Sequence, residues 1–394
     1  MPARQRTRLL LVGAGHTHLH LLSNAQDLHN AGYAVTLLAP REFRYSGVAS
    51  GSATGGLPID IGTIDVGALT GDGGPAQGVD HHAGRLVDVD LSGHRALTDG
   101  GRWLDFDVLS VNIGSVADRH DIEATDEVWA SDVVSVKPLE QLRDLNSRIS
   151  SEATCAGSTV RVTLIGGGPT AMELAGNLSS EDGGEGAPPR QITVIEASET
   201  VMGHLPDLAR RRLLALLRRR GVTVITGRSV RRIERGHVVL AGDEVVSGEP
   251  GVEHDVVVLA SGLVSPPLLA EVGLSDVRLS DHGSAIDGIP VRTTLQHRDY
   301  DDVYAVGDCA FFTPQPLAKI GVYGVRQGPV LLASLLARAA GEPLPEFEPQ
   351  RHALQVLDLG DGVGLATRGR WWWMGRAALR LKRRVDRRWL AQYQ

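Results

Sequence analysis

Cysteine is scarce: Cys155 and Cys309 are the two in 394 residues, and no C-x-x-C occurs. That excludes a disulfide scaffold and a cysteine metal site. It also removes dithiol exchange chemistry. Long apolar runs are missing too. Only Leu9–Val12 stands between the arginine-rich start and the first glycine. Such a run is too short for a signal peptide or a spanning helix, and no later one approaches ~20 residues. The expectation is a cytoplasmic protein. His16, His18 and His20 alternate across a turn and a helix start, a spacing that does not converge three imidazoles, so no metal site is expected.

What is present is glycine, 47 residues of it, with 42% apolar residues, which suits an α/β protein rich in tight turns. The stretch Arg8–His20, RLLLVGAGHTHLH, reads as a buried strand, a turn at Gly13, Ala14, Gly15 and His16, and a helix starting near Thr17. Backbone N–H groups and a helix N-terminus then face a pyrophosphate. His18 stands where the pattern wants a small third residue. A second copy, VTLIGGGPTAMELAG at Val162–Gly176, places Gly166, Gly168 and Ala171 in register, with Pro169 and Thr170 of its turn and helix start expected at the cofactor, and DDVYAVGDCA follows at Asp301–Ala310. Two such turns and a strand ending in Gly307-Asp308 read as a two-nucleotide flavoprotein.

The strand after the first turn ends in Ala39-Pro40-Arg41-Glu42, without the usual ribose-binding acid. Glu42 is the nearest substitute and Arg41 a neighbour of the adenine nucleotide, each weighed against a plain loop role. Phe43–Gly56, which includes Ser46, is too poor in apolar residues for core. It brings backbone near phosphate or flavin, or else it is a solvated connector. Three hairpin strands follow within residues 84–107, with His81 and His82 on a solvated turn, then the strand Val108–Ile113 ending at Gly114. Glu140–Ile149 reads as a helix and Ser150–Ser158 as a polar linker. After the second turn, an acidic insertion at Ser179–Pro189 precedes a strand ending in Glu196, which accepts bonds from the ribose of NADH and repels a 2′-phosphate. The strand Val256–Ala260 leads to Gly262. Asp308 is placed to bond ribityl or ribose hydroxyls. From Ile320 a helix, Gly321–Ala339, starts beside the flavin, and Lys319 adds a charge there or is an ordinary surface lysine.

From Arg368 onward nine basic residues face Asp386, a local +8 within a net −7, which leaves −15 on residues 1–367. A basic tail on an acidic body suits an anionic partner surface. The expected helix Gly375–Gln392 carries Ala378, Leu381, Val385 and Trp389 at helical spacing behind Trp371, Trp372 and Trp373. It lies on an anionic membrane, or else packs on the body or across a homodimer. No nucleic-acid partner is expected.

At GAGHTH, RYSG, IGGGPTAMELAG, YAVGDCA, LAKIGVYGVRQGPVLLASL and the terminal PQRHALQVLDLGDGVGLATRGR, the chain resembles two-domain FAD- and NAD(P)H-dependent oxidoreductases. Among these it resembles the type II NADH:quinone oxidoreductases, and still more the flavoprotein domain found joined to selenophosphate synthase. The resemblance implies an α/β fold of two Rossmann-like dinucleotide-binding domains. An NADH domain (119–263) is inserted in a discontinuous FAD domain (1–118 and 264–345), and a small C-terminal segment (346–394) follows. It implies hydride transfer from NADH to FAD and reoxidation by a quinone, with Glu173 near the reacting rings. The competing expectations are a soluble reductase of a protein or small molecule, and a non-catalytic NADH sensor.

Overall fold

The computed structural model describes residues 6–119, 121–156, 159–180, 188–242, 251–275 and 286–394. Two five-stranded parallel sheets share one plan. In the first, Thr7–Val12 lies between Tyr33–Ala39 and Val108–Val111, with Asp80–Ala83 and Val303–Ala305 at the edges. In the second, Val160–Ile165 lies between Arg190–Glu196 and Val256–Leu259, with Thr223–Thr226 and Val133–Ser135 at the edges. The glycine-bearing strands are central because Leu9–Val12 and Leu164–Ile165 are buried, as a strand covered on both faces requires. The second sheet falls within the sequence between strands of the first. Its entry and exit, Val116–Ala117 and Leu263–Val264, pair antiparallel.

Several expectations need correction. The helix after the first turn starts at His16 and breaks at Asn24, whose side-chain amide donates to His20 O at 2.8 Å; a second helix, Ala25–Asn30, continues it. Asp80–Ala83 is not a turn but an edge strand, and the ring of the half-buried His81 bonds Ala39 O at 3.0 Å. The helix Leu145–Ala156 runs through most of the expected linker. Of the acidic insertion, residues 181–187 lie outside the described residues. The segment Phe43–Gly56 is no solvated connector. It forms Glu42–Arg44, a 3-10 turn and the helix Ala49–Ala53, whose Ser50, Gly51 and Ala53 are buried against the second-turn helix. Small residues permit that approach, and a count of apolar residues passes over them.

The C-terminal segment is a meander, Gln355–Asp358, Gly364–Arg368 and Trp371–Gly375, followed by the helix Arg376–Leu390. Leu357, Leu359 and Leu365 join the core of the second sheet, and Trp389, Leu390 and Tyr393 join that of the first. Arg220 fastens the meander by donating to Gly176 O at 3.1 Å and pairing with Asp361 at 2.5 Å. The helix's buried face is Ala378, Leu379, Lys382, Asp386, Trp389 and Leu390, while Val385 is exposed, so the expected stripe is rotated. Two polar residues turn inward because partners wait there, as described below. Among the described residues no helix is long and apolar enough to cross a membrane, and no cluster of histidine, cysteine and carboxylate side chains is placed to hold a metal ion.

Candidate functional site

A cleft of about 810 Å³ runs from the first glycine turn to the second. Each turn is pressed onto the neighbouring strand end. At Gly13, φ +86°, a Cβ would lie 2.4 Å from Asn112 O, and at Gly166, φ +108°, it would lie 2.3 Å from Ala260 O. Only glycine fits either place. Three helices open onto the cleft with no side-chain cap on their first N–H groups: His16–Ser23 after Gly15, Pro169–Leu178 after Gly168, and Gly321–Ala340 after Ile320. Uncapped N-termini beside glycine turns suit anionic phosphate or an electron-rich ring. The residues present therefore fit two dinucleotides.

His18 takes the place of the expected small residue by bonding rather than by size. Fully buried, it donates from Nδ1 to Gly13 O at 2.6 Å, which leaves Nε2 to accept from Ser110 Oγ at 2.8 Å. Burial pushes its pKa down to about 4 and that of His16 to about 3, so both rings are neutral. His16 packs among Phe43, Tyr45 and Trp389, the last at 4.9 Å between ring centres.

Of the residues singled out from sequence, Gly13, Ala14, Gly15, His16, Ser46, Gly114, Gly168, Pro169, Thr170, Glu173, Glu196, Gly262, Asp308, Lys319 and Ile320 line the cleft. Gly166 sits behind the lining, where it sets the strand contact, and Gly167 lines instead. Arg41 is exposed and outside the lining; Glu42 and Arg44 are in it and pair at 2.7 Å. Glu196 accepts from Gly167 N at 2.5 Å and from Ser198 N at 2.8 Å. Asp308 accepts from Ser115 Oγ at 2.9 Å. Lys319 is engaged: it donates to Asp308 O at 2.7 Å and pairs with the Asp287 carboxylate at 3.2 Å, which spends most of its charge locally.

Glu173 is buried midway along its helix. Its carboxylate accepts from Asp358 N at 2.8 Å and Ser50 Oγ at 3.0 Å, and Lys382 Nζ stands 3.7 Å away. Burial pushes the Glu173 carboxyl above the usual range, against the pull of Lys382. Burial opposes the charge on Lys382 in turn, yet Glu173 and Asp386 together hold its pKa above the ordinary lysine value.

Two site residues escaped the sequence reading. Asn112 ties two strand ends of the first sheet to the first-turn helix, donating to Val306 O at 2.8 Å and accepting from His18 N at 3.4 Å. Lys382 looked like one more tail cation. The signal that sets it apart is Asp386, the tail's one acid, four residues on and 3.3 Å away.

The pattern of the family described as pyridine nucleotide-disulphide oxidoreductase matches residues 7–328. The type II NADH:quinone oxidoreductase of Staphylococcus saprophyticus is 25% identical over 385 residues, covering 92% of this chain and 90% of that one. The protein of the same name from Staphylococcus aureus is 23% identical over 380 residues, covering 92% and 90%. Among solved structures, NDH2 from Plasmodium falciparum in complex with NADH superposes with a TM-score of 0.78 at 12% identity, covering 99% of this chain and 98% of that one. Sulfide:quinone oxidoreductase from Aquifex aeolicus gives 0.77 at 17% identity, covering 98% and 91%. With the match running across most of its length and both glycine turns inside it, the chain belongs to the pyridine nucleotide-disulphide oxidoreductase family.

Proposed function

We propose that this protein is an FAD-dependent NADH dehydrogenase that passes electrons to a quinone-type acceptor. The observation that carries the reading is the cleft joining two glycine turns, with the Glu173–Lys382 pair in its lining and no cysteine among the described residues that line it. The names of the relatives support the choice of donor and acceptor.

FAD, when bound, supplies the redox step by accepting a hydride from the nicotinamide and yielding two electrons to the acceptor. The protein's own groups do the rest. Gly13–Gly15 and the first-turn helix hold the FAD pyrophosphate, and Gly167–Thr170 hold that of NADH. Asp308 and Glu196 take hydroxyls of the bound chains. Glu42, in the cleft three residues past the second strand, stands in for the missing ribose acid. The N-terminus of Gly321–Ala340 favours negative charge on the ring side it faces. Glu173 holds a proton in the cleft, since burial keeps its carboxyl protonated to higher pH than usual.

The tail gives an anionic membrane surface a place to bind. Arg380, Arg383, Arg384, Arg387 and Arg388 are exposed on the outer side of the last helix, and Trp371 is 81% exposed on the adjoining strand. Each cation near such a surface contributes on the order of 1 kcal/mol. Helix and strand rest on the body, so attachment is peripheral.

Stopped-flow spectroscopy tests the central claim. NADH bleaches the flavin absorbance, and a short-chain quinone restores it. Flavin that NADH leaves oxidised, or reduced protein that no quinone reoxidises, overturns the reading.

A further inference from the structure

Reduction of a quinone by NADH takes up one proton from solvent, because the hydride carries two electrons but only one of the two protons that a quinol needs. The second must reach a buried cleft. From Glu173 a row of titratable groups leads outward. Lys382 Nζ lies 3.7 Å from Glu173 Oε1 and 3.3 Å from Asp386 Oδ2, and the Tyr45 hydroxyl donates to Asp386 Oδ1 at 2.9 Å. Glu173, Lys382 and Asp386 are each at most 9% exposed. Glu173 and Lys382 line the cleft, whereas Tyr45 lines a separate small groove whose rim includes the exposed Ile59 and Arg143.

We propose that Tyr45 and Asp386 form the outer half of a proton path that ends on Lys382 and Glu173. The proposal rests on the quinone-acceptor reading. As the O–H bond of Glu173 breaks and one forms on the acceptor, an N–H of Lys382 reprotonates Glu173. The carboxyl of Asp386 restores the ammonium, and the Tyr45 hydroxyl reloads Asp386 while taking a proton from the groove side. One proton enters, one is delivered, and no electron moves along the row.

Packing alone does not explain these residues. A buried ion pair is often no more stabilising than apolar side chains of the same volume, so a helix needing only a core contact has cheaper solutions at positions 382 and 386. The charge count also suits transfer. Lys382 faces the carboxylates Glu173 and Asp386, with Asp358 close by, so one ammonium serves more than one acid. Burial raises the Asp386 carboxyl against the pull of Lys382, which lets it hold a proton above the usual range.

The test uses the full-length holoenzyme, reduced with NADH and then mixed, across pH, with a short-chain benzoquinone or with ferricyanide, which takes electrons without a proton. Tyr45→Phe and Asp386→Asn should each slow quinone reoxidation by about tenfold or more, and the ferricyanide step by clearly less. In Asp386→Asn, Lys382 loses one of the carboxylates that hold its proton, so the highest-pH limb of the quinone profile, where the ammonium is lost, should move to lower pH, apart from the earlier decline that belongs to Glu173. Variants that match wild type in rate and limb, while wild type is reoxidised by the quinone, overturn the path and leave the function standing. Equal slowing with both oxidants and an unmoved limb assigns a packing role and also overturns it. Wild type that the quinone fails to reoxidise overturns the function itself. Should Asp386→Asn fail to fold, Tyr45→Phe decides alone, since it keeps the ring stacked on Trp389 at 4.3 Å.

Discussion

Lys382 of the last helix and Glu173 of the second-turn helix meet at 3.7 Å across the cleft, one from the tail and the other from the inserted sheet's domain. The ammonium thus comes from a part of the chain that neither glycine motif reaches. On the function proposed above, the residues that handle protons and the residues that hold nucleotides are largely different sets.

Glu173→Gln removes the acid proton but keeps the shape and the bond accepted from Asp358 N, while the Ser50 hydroxyl turns from donor to acceptor of the new amide N–H. Flavin turnover with quinone should fall by about tenfold or more, while NADH affinity changes by less than about threefold. Wild-type reoxidation should decline as pH rises through the raised pKa of Glu173, because its acid form is then lost; the glutamine variant should lack that limb. Stopped-flow titration over pH checks both.

Replacing Glu196 by Ser should narrow the preference for NADH over NADPH by about tenfold, through lost ribose bonds and lost repulsion of a 2′-phosphate. The carboxylate also bonds Gly167 N and Ser198 N, so the variant's second turn should loosen and its KM for both cofactors rise. Steady-state kinetics with each cofactor separates the effects. A wild type that prefers NADPH contradicts the placement.

Heat or acid should release FAD, identified by chromatography, and the holoprotein should reduce no disulfide substrate. Cys309, the free cysteine among the described residues, is buried, and its thiol is pushed up to about 11 by that burial. Alkylation of native protein should therefore leave Cys309 unmodified, read by peptide mass spectrometry.

The two sides of the last helix should separate by mutation. Trp389→Ala removes a ring packed on His16, Tyr45 and Tyr393 and should cost about 3–5 kcal/mol of stability. Replacing Arg383, Arg384 and Arg387 by Gln should leave Tm nearly unchanged and weaken sedimentation with anionic vesicles at low salt. Equal sedimentation before and after the triple change rejects the lipid role.

Most of the parallel-sheet framework was legible because apolar runs bounded by glycine are a local signal. The strands that begin at Val108 and Val256 start where expected and end two residues and one residue early, and Gly321–Ala340 differs by one residue from its expected end. What escaped depends on partners distant in sequence. The face of the last helix is set by Glu173 and Tyr45, which nothing in residues 376–390 announces, so periodicity alone picked Val385 for the buried side. Ser50 and Gly51 are core because their smallness lets two helices touch, a property that hydropathy scores as loop. The missing acid after the second strand was visible, but that Glu42 and not Arg41 lines the cleft depends on the bend at Arg41.

The paired crossings Val116–Ala117 and Leu263–Val264 have a mechanical consequence. One tether lets two bodies spin about it; two tethers bonded as a ribbon are stiff to torsion and compliant chiefly to bending. The C-terminal segment adds a further link, since its meander packs on the second core and its helix on the first, so torsion between the two sheets is resisted in two places. An insertion in one crossing without the other would break the register of that ribbon and weaken its resistance to torsion.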